Sequence, residues 1–341
     1  MAKRDRITLK MAWKSFQVAF VISLMPVLVG SFAYGATKPI IIKLAYVHVP
    51  ENPSAVSSQR FAKLVEERSQ GRVKVEVYPG GQLGQQPEVF GGLAVGSIEM
   101  SNMSTSAIAQ FCPEMGVWDL PYLFRASAHA YSVLDGPIGK RVAENCMKKS
   151  GVRNLAYTEN GWRHFTNRIR PITKPDDLKG LKIRSITAPM MVETIRALGA
   201  NPVPVAWGEV YMALQQGVAD GQENPHNNTY GAKLYEVQKY VSLSAHVYNP
   251  MGHLIGEKFF QSLPPDIRKI LEDASQESAV YSREQAVQID VDCLKKLLEK
   301  GMTVNTPPDL SLFKTKSRPV YDKFAGEVGG WALINEIVNA K

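Results

Sequence analysis

Residues 39–47 read Pro-Ile-Ile-Ile-Lys-Leu-Ala-Tyr-Val, and residues 73–78 read Val-Lys-Val-Glu-Val-Tyr. The first run is dense in β-branched residues. The second alternates apolar with polar, as a half-buried strand does. Between them Val56, Phe61, Leu64 and Val65 recur at helical spacing over residues 54–69, and Gly71 supplies a stop signal. Pro79-Gly80-Gly81 closes the second strand with a turn, residues 87–95 read as a short helix, and residues 98–103 as a third strand. Strand, helix, strand, turn, helix, strand predicts an α/β fold with a parallel-type sheet covered by helices. Ligands of such sheets bind beyond the carboxyl ends of the strands. The turns after Val47, Tyr78 and Met103 are therefore the places to look for a site.

A second unit begins near Val152. Residues 153–157 read as a strand, residues 175–180 (Pro-Asp-Asp-Leu-Lys-Gly) as a turn or single helical turn, and residues 181–184 as a short strand. Residues 189–198 read as a helix ended by Gly199. Residues 202–205 are extended, because each proline biases its predecessor away from helix. Residues 210–216 form another helix stopped by Gly217, and Asp220-Gly221 marks a turn. Further on, Pro264-Pro265-Asp266 is a start signal for a helix that continues to Gly301. At 1.5 Å per residue it spans about 54 Å, more than one small lobe. It either braces two lobes or breaks near residues 276–282.

The amino terminus is organised differently. Lys3, Arg4, Arg6, Lys10 and Lys14 precede an apolar run from Val18 to Val29, and small residues follow at Ser31, Ala33, Gly35 and Ala36. This order is a secretory signal peptide, residues 1–35, cleaved after Gly35. The apolar run is too short to span a bilayer, which needs roughly 20 residues. Export places the protein in the periplasm. Residues 1–35 hold five basic side chains against Asp5 alone, so cleavage removes half of the formal charge of +8. The mild basic remainder is scattered, which excludes a nucleic-acid footprint. The three cysteines, Cys112, Cys146 and Cys293, form no C-x-x-C pair. Buried, inert thiols are the favoured reading; one bridge is allowed, without a choice of partners.

The chain left after cleavage exceeds the size at which a single core keeps growing, so two lobes are expected. The expected partition is residues 36–160 plus about 246–285 in lobe I, and 161–245 plus about 286–341 in lobe II.

No metal-ligand spacing, nucleophile elbow, dinucleotide fingerprint or P-loop is present. No catalytic residue, metal or cofactor is assigned. The informative residues are polar groups inside apolar, turn-bounded patterns. Arg184 ends a short strand, where its fork suits a bidentate pair with a carboxylate; the competing reading pairs it with a local acid such as Asp176. Arg163 offers a second cation. Asn224 is pushed toward an extended backbone by Pro225 and offers an amide. Trp207 suits a pocket floor. The loops near Gln85, at Ser104 to Ser106, and at His226 to Asn228 are candidates for the far end of a ligand, with Gln85 and Ser106 singled out.

Several motifs in one order resemble a known family. They are residues 61–84, ending Pro-Gly-Gly-Gln-Leu-Gly; 119–124, Asp-Leu-Pro-Tyr-Leu-Phe; 175–184; 198–200; 209–217; and 220–240. The chain resembles the solute-binding proteins of tripartite ATP-independent periplasmic (TRAP) transporters, of the dicarboxylate-binding type, over about residues 40–300. The resemblance implies two α/β lobes joined by crossing hinge strands and braced by a long helix. It implies a carboxylate held by Arg184 and hydrogen-bonded by Asn224, with Trp207 lining the pocket and Arg163 as a less uniform cationic position. It implies delivery of the acid to two membrane subunits by a monomer, driven by an ion gradient. The alternatives are a periplasmic enzyme acting on an organic acid, which needs a base or metal in the cleft, and a ligand-presenting subunit of a sensor or ATP-driven importer, which differs in its membrane partner.

Overall fold

A computed structural model describes residues 38–49 and 52–341. The signal peptide expected over residues 1–35 lies outside the described residues. The chain opens as expected: β1 Ile40–Ala45, α1 Pro53–Arg68, β2 Val73–Tyr78, α2 Gln86–Val95 and β3 Met100–Ser104. A short α3 Thr105–Ile108 and the pair α4 Ser127–Asp135 and α5 Pro137–Ser150 follow. Then come β4 Val152–Asn167, β5 Lys182–Ser185, α6 Pro189–Ala197, β6 Asn201–Pro204, α7 Val210–Gln215, β7 Gly221–Asn224 and α8 His226–Gly231. The chain returns through β8 Tyr240–Gly256, α9 Glu257–Ser262, α10 Pro265–Glu299, β9 Thr303–Asn305, α11 Ser311–Phe324 and α12 Gly330–Asn339.

The strands join in the order β2-β1-β3-β8-β4-β7-β5-β6, with β9 pairing β8. Each flank is parallel, β1 with β2 and β3, and β5 with β6 and β7. The centre is antiparallel, formed by β4 and β8. Local pattern announced only part of these two strands. Residues 153–157 were read as a strand, which in fact continues to Asn167, and β8 was not read from its residues, although the resemblance implied crossing hinge strands. Both are lined with buried polar residues, so neither shows the apolar alternation of an ordinary strand. Within β4 the β4–β8 register shifts between Glu159 and Gly161, opposite Pro250. Gly161 there adopts φ +122°, a region that L side chains rarely enter.

Separate cores flank the sheet. Ile42, Leu44, Val73 and Met100 pack with Phe61 and Leu64 of α1 and with Ile267 and Leu271 of α10. The other face packs Val89 and Leu93 of α2 against Trp118, Phe124 and Leu134. A third core joins Phe165, Ile183, Ile195, Leu198 and Phe313. α10 runs unbroken through the region where a break was allowed. One end packs with β1 and α1, and Leu297 at the other packs with Val241 and Met302. Small buried residues, Ser275, Ser278, Ser282 and Ala279, let it approach β4, where Gln276 donates to the Leu155 carbonyl at 2.6 Å and Arg283 to that of Tyr157 at 2.6 Å.

Near the carboxyl terminus α12 buries Leu333, Ile334 and Ile337 in the core of Trp118 and Phe124, where its amphipathic stripe finds its apolar partner. One expectation changes. The favoured reading of three inert thiols fails: Cys112 and Cys146 are bonded, with Cα atoms 5.4 Å apart, and Cys293 alone is free and buried.

Candidate functional site

The carboxyl ends of both parallel flanks converge on one cavity of about 550 Å³, counting its open mouth. His48 follows β1, Gln85 and Gln86 follow β2, and Ser104 ends β3. Facing them are Arg184, which lies on β5, Trp207 beyond β6, Asn224 at the end of β7, and Asn228 on α8. The crossing strands supply the back wall, Asn160 and Arg163 from β4 and Asn249 from β8. This is where ligands bind to open α/β sheets.

Arg184 is 2% exposed. Its Nε and Nη2 donate to the Val205 carbonyl at 2.9 and 2.6 Å. Nη1 is buried with no hydrogen-bond partner. Trp207 lies beneath the guanidinium, 5.9 Å from Cζ to ring centroid. Burial pulls Arg184 down to about 9, and Arg163 adds to that, while Glu223 opposes both. A buried guanidinium facing a cavity without a carboxylate partner is costly. An entering anion removes that cost.

Arg163 is placed differently from expectation. It lines the same cavity, but its charge is already matched: Nε and Nη2 clasp the two Glu223 carboxylate oxygens at 2.5 and 2.8 Å, and Nη2 also reaches the Glu223 carbonyl at 2.6 Å. Both side chains are fully buried. Burial alone would raise Glu223; Arg163 and His246 overturn it and hold the carboxyl at about 2. The register that sets His164 opposite Asn224 and Phe165 opposite Glu223 brings Arg163 and Glu223 together, a pairing invisible in one dimension.

The amide wall is one connected network. Asn52 caps α1, accepting from the Ser54 N–H at 2.8 Å, and donates to Asn227 at 2.8 Å and Asn228 at 2.6 Å. Asn228 donates to Asn224 and to Asn160, each at 3.1 Å, and Asn160 donates to Asn249 at 2.9 Å. Asn249 then donates to Asp119 at 2.6 Å. Burial pushes Asp119 up to about 7, against the hydrogen bonds it accepts. His48 is held down to about 4 by burial first and Arg163 second, so its imidazole is neutral. Gln85 accepts from the Gly208 N–H at 3.4 Å, linking the two flanks across the cavity mouth.

Five of the six residues expected at the site line this cavity: Arg184, Asn224, Arg163, Trp207 and Gln85. Ser106 does not. It is fully buried behind the wall, where its hydroxyl accepts from Asn249 at 3.1 Å, so it supports the wall without facing the space. His48, Asn160 and Asn249 were missed. One signal was available: Asn52, Asn224 and Asn249 each precede a proline, which holds the backbone extended, and all three join the network. Among the described residues no three His, Cys, Asp or Glu side chains are grouped to hold a metal ion.

Residues 44–327 match the family described as bacterial extracellular solute-binding protein, family 7. The chain belongs to the solute-binding proteins of TRAP transporters. It is 33% identical over 288 residues, 84% of this chain and 88% of the relative, to the 2,3-diketo-L-gulonate-binding periplasmic protein YiaO of Escherichia coli (strain K12). A TRAP periplasmic solute-binding protein from Bordetella bronchiseptica, with density assigned to pantoate, superimposes with TM-score 0.85 at 36% identity, covering 89% of this chain and 99% of that one. One from Polaromonas sp. JS666, bound to D-erythronate, superimposes equally well, with TM-score 0.85 at 33% identity, covering 89% and 99%. The fold is the two-lobed one of TRAP solute-binding proteins.

Proposed function

We propose that this TRAP solute-binding protein captures a small organic acid through Arg184 and presents it to a TRAP membrane transporter. The observation that carries the reading is the Arg184 guanidinium: buried, facing the cavity, with Nη1 unpartnered. Asn224, Trp207 and Gln85 contact the bound acid, and Arg163 holds the wall. The protein is exported, loses residues 1–35, works as a monomer in the periplasm and catalyses no reaction. Lobe I is residues 36–160 plus about 246–285, and lobe II is 161–245 plus about 286–341, whose α12 packs against the core of Trp118 and Phe124. Ligand contacts from both sides favour the closed form over the open one.

The test is a thermal shift of the exported protein against a panel of organic acids, beside Arg184→Ala. Ligand at 100 times its Kd adds about 2.7 kcal/mol. That is a rise of several degrees at roughly 2–4 °C per kcal/mol. A rise for at least one acid, abolished in a folded Arg184→Ala, is expected. A variant that responds like the wild type removes Arg184 from the site.

A further inference from the structure

We infer that the cavity is built for a monocarboxylate whose chain carries hydroxyl groups, an aldonic-acid type of ligand, and that it discriminates against dicarboxylates. The inference rests on the organic-acid reading above and narrows it by counting charge. Two arginines line the cavity, and that pair alone would suit a dianion. The geometry leaves one of them available. Arg163 is clasped at both carboxylate oxygens of Glu223, and Asn249 Oδ1 lies 3.5 Å from its Nη1. Glu223 is wholly buried, so the pair is a closed, neutral unit set into the wall. Arg184 has no such partner, and among the described residues no other cationic side chain lines the space.

The rest of the polar lining is neutral and two-sided. His48, Gln85, Gln86, Ser104, Asn160 and Asn228 each carry a donor and an acceptor. His48 Nδ1 is buried without a partner, and the neutral ring offers one donor and one acceptor nitrogen. A hydroxyl group also donates and accepts, so a row of hydroxyls satisfies such a wall. A second carboxylate accepts only, and it would be buried in the cavity without a counter-charge, where an unpaired ion is heavily penalised.

The test is calorimetric titration of the exported wild-type protein with matched pairs: D-gluconate against D-glucarate, D-galactonate against galactarate, and D-erythronate against succinate. Each pair exchanges the terminal alcohol for a second carboxylate, and the last pair also removes the hydroxyls. At least one aldonate is expected to bind, with its dicarboxylate partner at least tenfold weaker. A dicarboxylate that binds as tightly as the best aldonate overturns the charge count while leaving the organic-acid reading intact. No binding by any of the six acids overturns this inference and leaves the organic-acid reading to the wider thermal-shift panel. Glu223→Gln provides the second arm, since it frees the Arg163 charge without changing side-chain length. In the folded variant the preference for aldonate over aldarate is expected to narrow at least tenfold. An unchanged preference would show that the pair does not set selectivity; if this variant does not fold, the wild-type pairs decide alone.

Discussion

Arg184 is a buried charge that faces the cavity without a carboxylate partner. Its only hydrogen-bond acceptor among the described residues is the Val205 carbonyl. Arg184→Met keeps the length and removes the charge. The ligand-free variant is expected to lose no more than about 1 kcal/mol in urea unfolding, while the shift on adding acid disappears. Arg163 should behave in the opposite way. Its charge is matched by Glu223 in a sealed environment, so removing one partner strands the other. Glu223→Leu is expected to cost about 3–5 kcal/mol, and the double variant Arg163→Met with Glu223→Leu to recover most of that loss. A cycle in which the two costs simply add would show that the pair does not couple. Arg163 and Arg184 are both arginines in polar surroundings on the page of the sequence. Only the pairing of β4 with β7 separates them into a paired and an unpaired charge.

At the scale of elements, β4 and β8 decide the architecture, and both were poorly legible. They cross the molecule at its centre, and the cavity draws polar side chains such as Asn160, Arg163 and Asn249 onto them. Facing a polar cavity rather than a core therefore erased the hydrophobic period that normally announces a strand. The flanking strands have ordinary apolar cores, and their pattern was readable. Gly161 lies at the register break, and its positive φ makes any side chain strained. Gly161→Ala is expected to lower stability by roughly 1–2 kcal/mol and to alter acid affinity, because Asn160 beside it holds Asn228 and Asn249. The bridge Cys112–Cys146 closes a loop with a sequence separation of 34. Cys112→Ser with Cys146→Ser is expected to lose about 2–4 kcal/mol, and reductant should lower the melting temperature of the wild type toward that of the variant.

The whole molecule integrates several buried titratable groups, and the sign of their sum is testable. His48 is held at about 4 and His253 at about 3 by burial, with His164 and His246 lowered in the same sense, again with burial the leading cause. These rings are neutral inside and become charged on unfolding below about 6.5. Their contribution is therefore complete above that pH and is lost as pH falls toward each folded value, at about 1.4 kcal/mol per unit for a fully shifted group. Asp119, raised to about 7, and Glu159, raised by burial, act the other way: each is more protonated inside, so each adds stability on acidification. The histidines outnumber the carboxyls. Stability should fall between pH 6.5 and 4, and Asp119→Asn should steepen that fall. A variant slope equal to or shallower than the wild type's would contradict the raised value at Asp119.

The α/β class, the parallel opening, the long helix and the location of a site at the strand ends followed from local chemistry: β-branched runs, helical spacing, glycine stops and proline starts act over a few residues. That Arg184 and Asn224 are candidates was legible for the same reason, since each stands beside a short, well-marked element, and both line the cavity. What only the tertiary structure decided were relations between distant residues. It joined both flanks through β4 and β8, returned α12 to the core of Trp118, bonded Cys112 to Cys146, and neutralised Arg163 with Glu223. Each is a contact across many residues of chain, set by which surfaces bury each other. No local pattern encodes such a contact, and the charge left free in the cavity depends on it.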